Sequence, residues 1–231
     1  SGSYVADVRI ETPSNGVTVR YSDGVVVERV HVDGRTPWRD GFMSTLAAHS
    51  RVVVQDSSFD GGRDGVYMHV ADGTVVRGND FRNLRFGVHE MYTSETLVAN
   101  NAVADSDTGI VVMTRPERNV VLGNAVRDSD VGVDVAGRSS FVLRNVVAAN
   151  GVGLTVGSYR SLYAQNTVYG NDVGISVQVV RSRDRLRLVG LGIKYLDGVF
   201  VFDRHQRRLD AICLRAQPSG VGGVTRLELA S

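Results

Sequence analysis

The chain alternates between short apolar runs and small or polar residues, and the alternation repeats. A glycine followed by an aliphatic or aromatic residue recurs at Gly16-Val17, Gly41-Phe42, Gly65-Val66, Gly87-Val88, Gly109-Ile110, Gly132-Val133, Gly153-Leu154 and Gly174-Ile175. The step narrows from about 25 residues to about 21. Eight to ten residues after most of these glycines comes a second apolar run: Arg51-Val52-Val53-Val54, Thr74-Val75-Val76, Thr96-Leu97-Val98, Asn119-Val120-Val121, Phe141-Val142-Leu143 and Leu162-Tyr163-Ala164. Each repeat therefore predicts two short strands rich in β-branched residues.

A third column fixes the register. Asn79, Asn101, Asn124, Asn145 and Asn166 occupy equivalent places, each two residues before Phe81, Val103, Val126, Val147 or Val168. Asparagine tolerates left-handed backbone at a turn, and its amide both donates and accepts, so a stack of such residues predicts a hydrogen-bonded ladder inside a corner. Leucine-rich repeats have similar lengths but need a leucine-dominated pattern and usually a helix per repeat; no three-and-four helical periodicity is present here. The fold class predicted is all-β: a right-handed single-stranded parallel β-helix, a solenoid of roughly seven coils. Residues 1–178 form the repeat domain, and residues 179–231 are read as a C-terminal cap or a non-repeat tail.

Two features interrupt the regularity. The early coils are longer, with the surplus assigned to Asp33-Gly34-Arg35-Thr36-Pro37-Trp38-Arg39-Asp40 and Asp60-Gly61-Gly62-Arg63-Asp64. Their turn-forming composition predicts protruding loops. Past Gln178 the asparagine column ends and the arginine-rich stretch Arg181-Ser182-Arg183-Asp184-Arg185-Leu186-Arg187 begins, with Val199–Phe202 and Arg208–Ile212 as candidate strands.

Charge changes the picture little. The formal net charge is +1 over 231 residues, with a mildly acidic body and a basic tail. No face gathers lysine and arginine, which argues against nucleic acid as partner. No apolar run is long enough for a spanning helix, and the first residues do not read as a signal peptide. The lone cysteine, Cys213, leaves no intramolecular disulfide and no cysteine-based zinc site.

Strand alternation separates an interior from an exterior. Val66/Met68, Ile110/Val112, Val133/Val135, Leu154/Val156 and Ile175/Val177 are predicted inside. Tyr67, His69, His89, Met91, Val111 and Met113 are then predicted outside, while later coils place Asp134, Ala136, Thr155 and Gly157 at the same positions. Three adjacent coils thus present Tyr67, His69, His89, Met91 and Met113 on one surface. Imidazole with thioether suits copper, above all copper(I), better than zinc or magnesium. His69, His89, Met91 and Met113 are the candidate metal ligands. The plainer expectation is ordinary packing of the methionines and solvated histidines. Glu90, by the same alternation, points inward, which calls either for a bulge that shifts the register or for an interior partner such as Arg85.

The segments Arg63-Asp64-Gly65-Val66-Tyr67-Met68 and Arg77 to Ser94, above all the Gly-Val-His-x-Met-Tyr core from Gly87 to Tyr92, resemble the NosD family. The resemblance spans about residues 16–178, with its distinctive part at about 63–94. Where that family commonly has an aromatic residue between the histidine and the methionine, this chain has Glu90. The resemblance implies a periplasmic or extracytoplasmic β-helix that works with an ABC transporter in maturing the copper sites of nitrous oxide reductase. It also implies copper as ligand and ABC transporter subunits or a copper chaperone or metalloenzyme as partners. Tyr67, Arg85, Glu90 and Tyr92 are the further candidate binding residues.

Two function classes compete. The first is a non-catalytic accessory protein for copper-site assembly. The second is a polysaccharide-active β-helix, a lyase or C5-epimerase, which needs a base, an acid and a carboxylate-neutralising group in one groove. Asp64, Tyr67, Arg85, His89 and Glu90 could supply these, although none of the four prolines follows an Asp or precedes a His. A non-catalytic carbohydrate-binding solenoid is the remaining alternative.

Overall fold

The computed structural model describes residues 2–34, 43–114 and 116–178, together with the strands Arg187–Val189, Val199–Phe202, Leu214–Pro218 and Thr225–Leu229. Every described element is a strand. The strands form two sheets, one of nine and one of 17, and all pairings up to Gln178 are parallel. The chain winds as a parallel β-helix of about seven turns, as the repeat predicts.

From the second coil on, each coil contributes three strands, one more than the apolar runs suggest. One strand of about six residues, such as Asp64–His69, Phe86–Met91 or Thr108–Met113, joins the nine-stranded sheet. Two short ones, such as Leu97–Ala99 and Ala102–Ala104, join the other sheet on either side of a corner. The third strand escapes a sequence reading because it has only one inward residue: Phe81, Val103, Val126, Val147 or Val168, all buried.

That residue explains the repeat glycine. A Cβ built on Gly65 would stand 2.4 Å from Phe81 Cδ1, on Gly87 2.7 Å from Val103 Cγ1, and on Gly109 2.3 Å from Val126 Cγ1. The third strand packs its side chain into the space that a side chain at the glycine would fill. In the second coil the register places Ser44 opposite Gly65, so the strand is Met43–Ala48 and Gly41-Phe42, outside the described residues, is not its repeat step. The step from the Val17–Arg20 strand to the Met43–Ala48 strand is then 28 residues, against 21 to 23 in the later coils. This corrects the second expected loop: residues 60–64 carry no surplus, being a tight corner with left-handed Gly61 and Gly62 leading straight into the Asp64–His69 strand. Of the first expected loop, residues 35–40 lie outside the described residues.

The asparagine column is buried and linked as expected. Asn101 accepts through Oδ1 from the N–H and Nδ2 of Asn79, both at 3.0 Å, and donates through Nδ2 back to the Val76 carbonyl at 3.0 Å and on to Asn124 Oδ1 at 2.9 Å. Asn124, Asn145 and Asn166 repeat the pattern. The preceding corner residues, Asp56, Gly78, Asn100, Gly123, Arg144 and Gln165, all have positive φ, and the stacked amides over-determine that conformation. Inside the coil lies one continuous apolar column, including Val66, Val88, Ile110, Val133, Leu154 and Ile175. Past Gln178, Arg187–Val189 and Val199–Phe202 pair in parallel with the preceding coil, and Thr225–Leu229 pairs antiparallel with Arg187–Val189. The candidate strand Arg208–Ile212 lies outside the described residues.

Candidate functional site

The outer face of the nine-stranded sheet carries three columns. The register aligns Asp64 with Phe86 and Thr108, then Tyr67 with His89, Val111, Asp134 and Thr155, and finally His69 with Met91 and Met113. Gly65 and Val66 are consecutive inward positions, so Asp64 and Tyr67 share the outer side although they are three residues apart. The sequence-predicted Tyr67, His69, His89, Met91 and Met113 therefore do meet on one face of three adjacent coils.

Their exposure differs from the expectation. His69, Met91 and Met113 are half-buried, but His89 is only 3% exposed and Val111 only 2%. Both lie in the middle column, between two flanking ones, where neighbouring side chains close over them. His89 is held from the side: Asp64, itself fully buried, faces His89 Nδ1 across 3.0 Å through Oδ2 and accepts from Arg85 Nη2 at 3.1 Å through Oδ1. Arg63 Nε stands 3.7 Å from the same Oδ1. A carboxylate can only accept, so Nδ1 of His89 carries a hydrogen, and in the neutral ring Nε2 then presents a lone pair. That Nε2 is buried and without a partner.

Tyr67 lies against His89 with ring centroids 4.8 Å apart, and its hydroxyl donates to Met91 Sδ at 3.3 Å. Burial, and secondarily the charge of Asp64, raises its pKa above the ordinary phenol value, so it stays a donor at neutral pH. His69 touches three further rings: Tyr67 at 6.2 Å, Tyr92 at 5.7 Å and His49 at 5.9 Å. His49 in turn stacks on Tyr21 at 5.1 Å. Tyr21, His49 and Tyr92 are corner residues with positive φ, outside any strand alternation, which is why only Tyr92 was singled out from the sequence, and that through family resemblance.

Glu90 is inward, in unbroken register between Met68 and Val112, so no bulge intervenes. Its partner is not Arg85, which pairs with Asp64 and lies 4.2 Å over the Phe86 ring. Instead Oε2 accepts from Thr96 Oγ1 at 2.9 Å and Asn119 Nδ2 at 2.6 Å, while Oε1 has no partner. Burial pushes the carboxyl up to about 8, so it is mostly neutral at pH 7. Asp134, on the outer face two coils on, is pushed by burial to about 6.

What can this face bind? Among the described residues no cluster of three or more His, Cys, Asp and Glu side chains could hold a metal ion. A column of one imidazole and two thioethers on neighbouring rungs, about 4.8 Å apart, instead fits a soft, low-coordinate ion such as copper(I).

The family described as periplasmic copper-binding protein (NosD) matches residues 8–185. No curated protein sequence matches the chain. Among solved structures, the A-module of the mannuronan C-5 epimerase AlgE6 of Azotobacter vinelandii superposes with a TM-score of 0.53 at 19% identity, over 68% of this chain and 45% of its own. A mutant of the periplasmic alginate epimerase AlgG gives 0.59 at 16% identity, over 71% and 53%. The tailspike protein of E. coli bacteriophage HK620, in complex with a pentasaccharide, gives 0.55 at 12% identity, over 88% and 43%. The chain therefore spans about half the length of these structures, and the likeness is one of fold.

Proposed function

We propose that this chain, which belongs to the NosD family, is an extracytoplasmic accessory protein that handles copper(I) for the assembly of a copper enzyme and performs no turnover of its own. The observation that carries the reading is the His69, Met91 and Met113 column, three soft or borderline donors in register on adjacent coils and half-open to solvent. A rigid parallel sheet fixes their spacing, while thioethers bind copper(I) weakly enough for onward transfer. Partners of the kind the family implies are ABC transporter subunits and a copper chaperone or the receiving metalloenzyme. Tyr92 and Tyr21, 56% and 79% exposed beside the column, are contact residues of the type that protein interfaces favour.

The test is competition for copper(I) against a chromophoric chelator under reducing conditions, with zinc as comparison. The chain should bind copper(I) in preference to zinc, and Met91→Leu combined with Met113→Leu should abolish the preference while leaving circular dichroism unchanged. Equal binding of both metals, or an unaffected double variant, overturns the reading.

A second reading has one specific observation in its favour. The Asp64 and His89 pair, with Arg85 and Tyr67 beside it, is an acid-base arrangement of the sort a uronate lyase or C5-epimerase requires. Incubation with polymannuronate, followed by ultraviolet absorbance for unsaturated ends and proton NMR for epimerised residues, separates the two: turnover there would displace the accessory role.

A further inference from the structure

We propose that Tyr67 is a latch over a two-donor site made of His89 Nε2 and Met91 Sδ, and that Asp64 is the positioning residue that keeps this imidazole in the required tautomer. The proposal rests on the copper(I) reading above and deepens it, because that reading needs only the exposed column and gives buried His89 no part.

One buried nitrogen of the face, His89 Nε2, has no hydrogen-bond partner. Asp64 fixes a hydrogen of His89 on Nδ1, and Nε2, a lone-pair donor in the neutral ring, is buried without a partner. Buried polar atoms of that kind are rare, and each calls for a reason. A carboxylate behind an imidazole is also the usual support of a metal-binding histidine, since it fixes the ring and raises the basicity of the far nitrogen. Two rings close on the imidazole, Phe86 edge-on at 4.7 Å and Tyr67 at 4.8 Å. Only Tyr67 is also tied to a second donor atom, through its O–H bond to Met91 Sδ. Turning Tyr67 outward therefore clears one flank of His89 and releases the Met91 sulfur in a single motion. The exchange balances without redox chemistry or proton release: the O–H···S bond breaks, copper–nitrogen and copper–sulfur bonds form, the phenol keeps its proton and the metal stays copper(I). In the latched form the phenol holds the thioether sulfur and the imidazole Nε2 is buried, so the pair is presented only to an ion able to compete for both.

The experiment uses the full chain and copper(I) alone, delivered from a chelator in stopped flow, with affinity from the same competition. Tyr67→Phe keeps the ring and removes the hydroxyl, and should bind about three- to tenfold tighter, the equivalent of one neutral hydrogen bond no longer opposing the metal. The wild type should show a tyrosine difference band near 280 nm on binding (about the ordinary phenol absorption), absent in Tyr67→Phe. Asp64→Asn should weaken binding about 10- to 100-fold, and nitrogen NMR of metal-free wild type should find His89 protonated on Nδ1. Wild-type affinity in Tyr67→Phe with the band retained, or a proton on Nε2, overturns the latch. If Met91→Leu with Met113→Leu abolishes binding while His89→Gln and Tyr67→Phe change nothing, the column stands and the latch falls. If the wild type takes up no copper(I), both fall.

Discussion

The asparagine corner and the outer face of the nine-stranded sheet are built on the same coils and diverge completely in how they use them. At the corner every rung from Asn79 to Asn166 repeats one residue with one set of bonds. On the outer face the residue changes from rung to rung: Tyr67, His89, Val111, Asp134, Thr155 in one column, and His69, Met91, Met113, Ala136, Gly157 in the next. Repetition is what stacking demands, because each rung must satisfy the one above and the one below. A face free of that demand can vary, and a run of unusual side chains confined to three coils marks chemistry more than architecture.

The contrast breaks first at the corner. Asn124→Ala removes the acceptor for Asn101 and the donor to Asn145 and Val98, leaving buried partners unpaired. Urea denaturation should show a loss of about 3 kcal/mol; a loss under about 1 kcal/mol would mean that the ladder only decorates the corner.

The inner side of the site comes next. Glu90 has a folded-state pKa raised from 4.5 to about 8. The folded chain therefore binds more protons than the unfolded one between these values, and its contribution to stability is complete below about pH 4.5 and lost as the pH rises to about 8. Relative to Glu90→Gln, which keeps an oxygen for Thr96 and Asn119, the wild type should lose about 2 kcal/mol between pH 5 and pH 7. Parallel pH profiles for the two proteins would place the carboxyl in a more polar setting than the structure gives it.

Smallest in stability and largest in function is the outer column. Met91→Leu with Met113→Leu exchanges half-buried side chains of similar volume and should shift the denaturation midpoint by less than about 1 kcal/mol. A much larger loss would make the methionines packing residues first.

How far the sequence reveals all this follows the same division. The ladder, the interior pairs and the register of Tyr67, His69, His89, Met91 and Met113 were legible because they repeat with the coil. In the second coil Ser44 stands at the glycine position, so the Gly-aliphatic pattern does not mark that strand. The burial of His89 was hidden because it depends on Asp64 in a neighbouring column, reached only through the two consecutive inward positions Gly65 and Val66. Glu90 was legible as inward from alternation alone, but its partners Thr96 and Asn119 sit across the coil, where no local pattern points. Tyr21 and His49 carry no signal, since left-handed corner residues obey neither strand period.

The central claim is that this outer face binds copper(I) through sulfur and nitrogen together. X-ray absorption at the copper edge, on the full chain loaded with one equivalent of copper(I), tests it most directly. The account predicts a low-coordinate copper(I) edge with mixed sulfur and imidazole scattering, and loss of the sulfur shell in Met91→Leu with Met113→Leu. A first shell of oxygen and nitrogen alone, unchanged by that double substitution, would contradict it.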